Sequence, residues 1–152
     1  MRSILGWLIG WGCLVAAMVR AADPFPIMAW NTMPDDPALF ARLKECGFTV
    51  AGFVPKSALD HVQAAGLKAL VSDPRASGYP WTSVDAAVAR EKVTALVRET
   101  ASHPAVLGYY LMDEPGAESF AGLGVVSGLI RELAPKHWAY INLFPNYATA
   151  TQ

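Results

Sequence analysis

Ala105-Val106-Leu107-Gly108-Tyr109-Tyr110-Leu111-Met112-Asp113-Glu114-Pro115 is the stretch on which the reading of the fold turns. From Ala105 to Met112 odd and even positions are apolar alike, as a strand covered on both faces requires; a half-solvated antiparallel strand would alternate. Two adjacent carboxylates end the run, and Pro115 turns the chain out into a loop. Side chains alternate along a strand, so Asp113 and Glu114 take different parts: one faces the open end of the sheet, the other a strand border or neighbouring loop. The bland alternative is an acid pair that braces the loop before a helix.

Working outward, short apolar runs alternate with helical periodicities. Pro26 to Asn31 is an expected first strand ending on Asn31. Asp36-Pro37 then supplies a cap and a first-turn proline, Leu39, Phe40, Leu43 and Cys46 form an apolar face, and Gly47 stops the helix. Cys46 on that face is expected to be a small buried hydrophobe. Phe48 to Val54 is a second strand. Ser57 with Asp60 resembles a capping box for a helix that Gly66 ends. Leu67 to Ser72 is a third strand, followed by Asp73 and a loop reaching Trp81. Ser83 is expected to cap a helix whose apolar positions are Ala86, Ala89, Val93, Leu96 and Thr100. Ala105 to Met112 is the fourth strand, Glu118 to Ala134 the next helix despite three glycines, and Trp138 to Leu143 a fifth strand with Asn142 near its end.

A βα repeat of this kind suits either a doubly wound sheet or a (β/α)8 barrel. A dinucleotide-binding sheet would carry a glycine-rich first turn, but the turn here is Asn31-Thr32-Met33-Pro34. A barrel builds its active site at the C-terminal strand ends. There stand Asn31, Asp73, the pair Asp113-Glu114, and Asn142. The expected class is therefore α/β: a partial (β/α)8 TIM barrel of about five βα units, preceded by a signal peptide. A whole barrel ordinarily takes about 250 residues, so this chain of 152 holds roughly half of one.

Met1-Arg2-Ser3 begins a positive start, Ile4 to Val19 is uncharged and apolar, and Val19-Arg20-Ala21 precedes a plausible cut. The expected division is 1–21 signal peptide and 22–152 barrel domain, with the protein secreted or periplasmic. The rival reading anchors the chain in the membrane through residues 4–19, although a span wants about 20 apolar residues; lipidation at Cys13 is a lesser alternative. Once the leader is cut, no stable membrane span is expected. Cleavage also leaves Cys46 as the remaining cysteine, so no intramolecular disulfide is expected. Of 12 Lys and Arg residues two lie in the leader, so acids, 13 in all, outnumber bases in the mature chain, and nucleic acid is not an expected partner. With 53% hydrophobic and 16% charged residues, the composition is that of a folded domain.

The run His103-Pro104-Ala105-Val106-Leu107-Gly108-Tyr109-Tyr110, followed by Asp113-Glu114-Pro115, resembles the fourth-strand region of the large clan of retaining glycoside hydrolases with a (β/α)8 barrel, in particular its β-galactosidase-like and family 42-like members. In that clan the fourth strand ends in Asn-Glu-Pro or a variant. The resemblance implies that Glu114 is the general acid/base. Asp113 replaces the usual Asn, which in the clan contacts the sugar 2-hydroxyl, and the clan's nucleophile comes from the seventh strand, for which this sequence offers no matching residue.

The residues themselves agree with such chemistry. Glycosidic cleavage wants a proton donor with a raised pKa, which an apolar barrel mouth and a like charge such as Asp113 would provide. Asp113, Asn31, Trp30, Asp73 and Asn142 are the expected substrate-binding residues, with Trp30, Tyr79 and Trp81 as aromatic faces for a sugar or, equally, as ordinary packing. His103 and His137 precede strands and His61 lies within a helix, so no histidine is expected to join the acids, and neither a metal nor a cofactor is expected. Carbohydrate is the expected ligand. The expected function is hydrolysis of O-glycosidic bonds by the complete enzyme, with this chain alone inactive. The alternatives are a non-catalytic half-barrel that binds carbohydrate or another chain completing the barrel, and a sugar isomerase or epimerase on a similar barrel.

Overall fold

The computed structural model describes residues 25–145 and Thr149, so the expected signal peptide lies outside the described residues. Local chemistry starts and stops the helices. Asp36 accepts the Ala38 N–H at 2.9 Å, with Pro37 in the first turn of α1 (Pro37–Glu45). Asp85 accepts from Ala87 and Val88 to start α4 (Ala86–Thr100). Gly47 and Gly66, both at positive φ, end α1 and α2 (Leu59–Ala64) as expected.

Three local expectations are corrected. Ser83 does not cap α4: it lies in the 3-10 turn Trp81–Ser83, and the nearer Asp85 carboxylate takes both N–H groups. Ser57 and Asp60 form no capping box, because Lys56–Ala58 is a separate 3-10 turn and α2 begins without a side-chain cap. Cys46 is exposed rather than buried, since α1 stops at Glu45 and the cysteine follows its last turn. The expected loop from Asp73 to Trp81 contains the short helix α3 (Pro74–Ser77).

Among the described residues four regular strands form one parallel sheet in chain order: β1 (Val50–Val54), β2 (Lys68–Val71), β3 (Val106–Asp113) and β4 (Trp138–Asn142). They are the second to fifth strands expected from sequence. The expected first strand is present only as two parallel bridges, Met28 to Val50 and Thr32 to Phe53. Between them the backbone humps, with the Asn31 N–H donating to Ala29 O at 3.1 Å. The hump rests on Gly52, where any Cβ would collide with the carbonyl oxygens of Ala29 and Asn31. The order never reverses, as a doubly wound sheet's does, and the architecture is a partial TIM barrel.

The helices pack on one face. There Ala51, Val54, Ala69, Val71, Tyr109 and Leu111 pack with Phe40, Val62, Val93, Leu96, Val126 and Ile130, the last two from α5 (Phe120–Leu133). The opposite, inner face holds Val50, Phe53 and Leu70 with Met28, Leu107, Tyr110 and Tyr140. β3 carries one extra residue against β2, at Leu107, and another against β4, at Leu111. Each such bulge inverts the in-out alternation beyond it.

Candidate functional site

The bulges decide where the acids fall. Tyr110 and Tyr140 are paired on the inner face, and Ile141 packs with Met112 toward the helices. The next pair, Asp113 and Asn142, therefore returns to the inner side at the C-terminal end of the sheet. Asn142 Nδ2 donates to Asp113 Oδ1 at 2.7 Å, and Asn142 O accepts the Glu114 N–H at 2.7 Å. Asn142 thus holds both acidic residues, one by its side chain and one by its backbone. Glu114 is exposed and has a φ of 43°, the left-handed region that costs a side-chain-bearing residue about 1–2 kcal/mol. Such strain persists where the surroundings over-determine it, and it gathers at functional sites.

The inner face below this pair is aromatic. Phe53 stacks on Tyr110 with ring centroids 4.0 Å apart, and Trp30 meets the Phe53 ring edge-on at 5.5 Å. Tyr140 lies 6.0 Å from Phe53. Burial raises the Tyr110 pKa, and the nearby Asp113 charge raises it further by disfavouring a second anion. Phe53 and Tyr140 carry no motif in the sequence and Tyr110 stands in the fourth-strand run without a role of its own; alternation does not reveal their common face, because β1 and β3 are apolar at successive positions and both have irregular register.

The other expected site residues are placed differently. Asn31 is exposed at the end of the bridged segment, its carbonyl accepting the Phe53 N–H at 3.0 Å. Trp30 is 48% exposed on the inner side. Asp73 caps α3 and binds Arg75 Nε at 3.0 Å and a terminal guanidinium nitrogen at 2.8 Å, and this pairing lowers its pKa. Its carboxylate is engaged there, apart from the Asp113 pair. Tyr79 and Trp81 pack against the helix-side core, with Lys92 Nζ 5.4 Å from the Tyr79 ring centroid.

His61 pairs with Asp35 at 2.7 Å and His103 with Asp60 at 3.1 Å. Together with His137, Lys68, Lys136 and Trp138, His103 lines a cleft of about 880 Å³ at the N-terminal strand ends. That cleft is the opposite end of the sheet from Asp113 and Glu114. Among the described residues no three His, Cys, Asp or Glu side chains are grouped to hold a metal ion, and no helix is long and apolar enough to cross a membrane.

Sheet order, helix placement and acidic strand ends together define a partial (β/α)8 barrel. Among solved structures the chain is similar to an FMN-binding β-glucuronidase from Facaelibacterium prausnitzii L2-6, at 14% identity and a TM-score of 0.54, over 83% of this chain and 23% of that one. It is also similar to Gas2p of Saccharomyces cerevisiae in complex with laminaripentaose, at 19% identity and a TM-score of 0.42, over 72% of this chain and 30% of that one. The chain thus spans less than a third of the length of either. No protein-family model and no curated protein matches it.

Proposed function

We propose that this chain is part of a secreted glycoside hydrolase barrel in which Glu114 is the general acid/base. The observation that carries the reading is Glu114 itself: exposed at the C-terminal end of β3, in left-handed backbone, its N–H donated to the Asn142 carbonyl, beside an inward Asp113. In this reading Glu114 protonates the leaving oxygen as a second carboxylate bonds to the anomeric carbon and the glycosidic bond breaks; it then takes a proton from the water whose oxygen bonds to that carbon as the carboxylate leaves. The second carboxylate of a retaining mechanism, about 5–5.5 Å from the first, would come from further βα units of the polypeptide or from a partner chain. The leader, residues 1–21, would export the protein, and the ligand would be carbohydrate, with Trp30 and Asn31 beside it.

The test is hydrolysis of nitrophenyl and alkyl glycosides by the complete barrel. Glu114→Gln should lower kcat/KM for alkyl glycosides by about 10²–10⁴-fold, the usual worth of a general acid. An unchanged value would sink the reading.

The inner aromatic face favours a second reading, a carbohydrate-binding or partner-binding half-barrel without catalysis. Its edges β4 and the bridged segment would then pair with another chain. A well-folded monomer of the mature chain in light scattering would count against it.

A further inference from the structure

We infer that Asn142 is a positioning residue for Glu114, acting as a clamp between the ends of β3 and β4. The inference rests on the reading of Glu114 as the acid/base, but the geometry is independent of it. Asp113 and Asn142 stand 29 positions apart and meet as the last paired residues of the two strands. Both contacts are 2.7 Å, one from the Asn142 side chain to Asp113 and one from the Glu114 backbone to Asn142. A carboxylate acceptor makes the first a charge-assisted bond, stronger than a neutral one.

These two contacts close a ring: Asn142 side chain, Asp113, the 113–114 peptide, Glu114 N–H and the Asn142 carbonyl. A ring of this kind fixes the plane of the 113–114 peptide, and with it the point and direction from which Glu114, at a φ of 43°, leaves the strand. β3 needs the restraint, because the bulge at Leu111 and the departure at Pro115 both loosen its end. Without the side-chain bond, one backbone contact alone must hold the peptide plane that carries a residue strained at positive φ. A proton donor misplaced by about 1 Å loses much of its rate. Asn142 therefore acts through Glu114 and need not touch the substrate.

Two measurements test this. The first is amide hydrogen exchange on the mature chain. Asn142→Ala should speed exchange at Glu114 at least about tenfold while leaving Ala69, whose N–H donates to Ala105 O at the far end of the sheet, unchanged. Asn142→Ser, which keeps a donor, should restore part of the protection. Equal exchange at Glu114 in wild type and Asn142→Ala overturns the clamp.

The second is kcat/KM on the complete barrel with dinitrophenyl and alkyl glycosides. Asn142→Ala should slow alkyl glycosides about tenfold or more and barely affect dinitrophenyl ones, whose leaving group needs no proton. A variant that merely loosened the fold would slow both alike. If Glu114→Gln shows the leaving-group pattern and Asn142→Ala does not, the positioning role fails. If neither shows it while the exchange result holds, the clamp stands and the assignment of Glu114 as acid fails.

Discussion

The Tyr109 hydroxyl lies 3.0 Å from the Thr100 hydroxyl, and both side chains are fully buried where α4 packs on β3. Thr100 Oγ1 donates to Leu96 O at 2.7 Å, so the Tyr109 O–H is the donor of the pair. The two deletions should then differ. Tyr109→Phe removes a donor and leaves Thr100 satisfied, at a cost of about 0.5–1.5 kcal/mol; Thr100→Val strands a buried phenol, at about 1–3 kcal/mol. Urea unfolding of the protein checks the order, and the double variant should cost less than the two costs added.

Gly52→Ala should be among the more damaging small substitutions. The added Cβ meets two backbone oxygens, Ala29 O and Asn31 O, and neither can rotate away as a side chain would. We expect a loss of about 2–3 kcal/mol, at the upper end of overpacking costs. Weakened exchange protection at Met33 and Phe53, whose N–H groups link the bridged segment to β1, should accompany it. A melting temperature equal to wild type would contradict the close approach.

At Glu114 stability and the proposed activity should separate. Glu114→Gly and Glu114→Ala both delete the carboxylate, but the alanine keeps the Cβ that is strained at positive φ. The glycine variant should be the more stable of the two by about 1 kcal/mol. Chemical denaturation of the pair measures the difference directly.

Acid should destabilise the helix-side ion network. Glu99 receives Arg75 at 2.9 Å and Lys56 at 2.9 Å, and these bonds hold its carboxyl at about 2 against an ordinary 4.5. Asp73 is likewise lowered by Arg75. A folded pKa below the unfolded one gives stability that is present above about pH 4.5 and lost as the pH falls toward 2. Thermal melts across that window should show the loss. Glu99→Gln should flatten it, and 1 M salt should reduce it because the pairs are solvent-exposed.

On the alkaline side the sign is reversed. Burial raises the pKa of Tyr79, Tyr109 and Tyr110, so their contribution is complete below pH 10 and is lost as the pH rises through the folded values. Tyr109→Phe should remove part of that alkaline slope in thermal melts.

The sequence by itself determined what depends on neighbours a few residues apart. Asp36-Pro37 starts α1, Gly47 and Gly66 stop helices, and the doubly apolar run before Asp113 is a covered parallel strand, because caps, left-handed turns and strand alternation act over one to four positions. That was enough for the βα repeat, the barrel class and the acidic strand end at Asp113-Glu114. Where two local signals competed, as Ser83 did with Asp85, the residue closer to the free N–H groups prevailed. Only the tertiary structure decided the rest. Asp113 faces inward because bulges at Leu107 and Leu111 shift parity against β2 and β4. Asn142 reaches it across 29 residues, Asp73 is taken by Arg75, and Tyr79 and Trp81 turn to the helices. Apart from the Asp73–Arg75 pair, which is local, these outcomes depend on hydrogen bonding and packing between segments far apart in the chain, and periodicity within a segment carries no information about the register in which such segments meet.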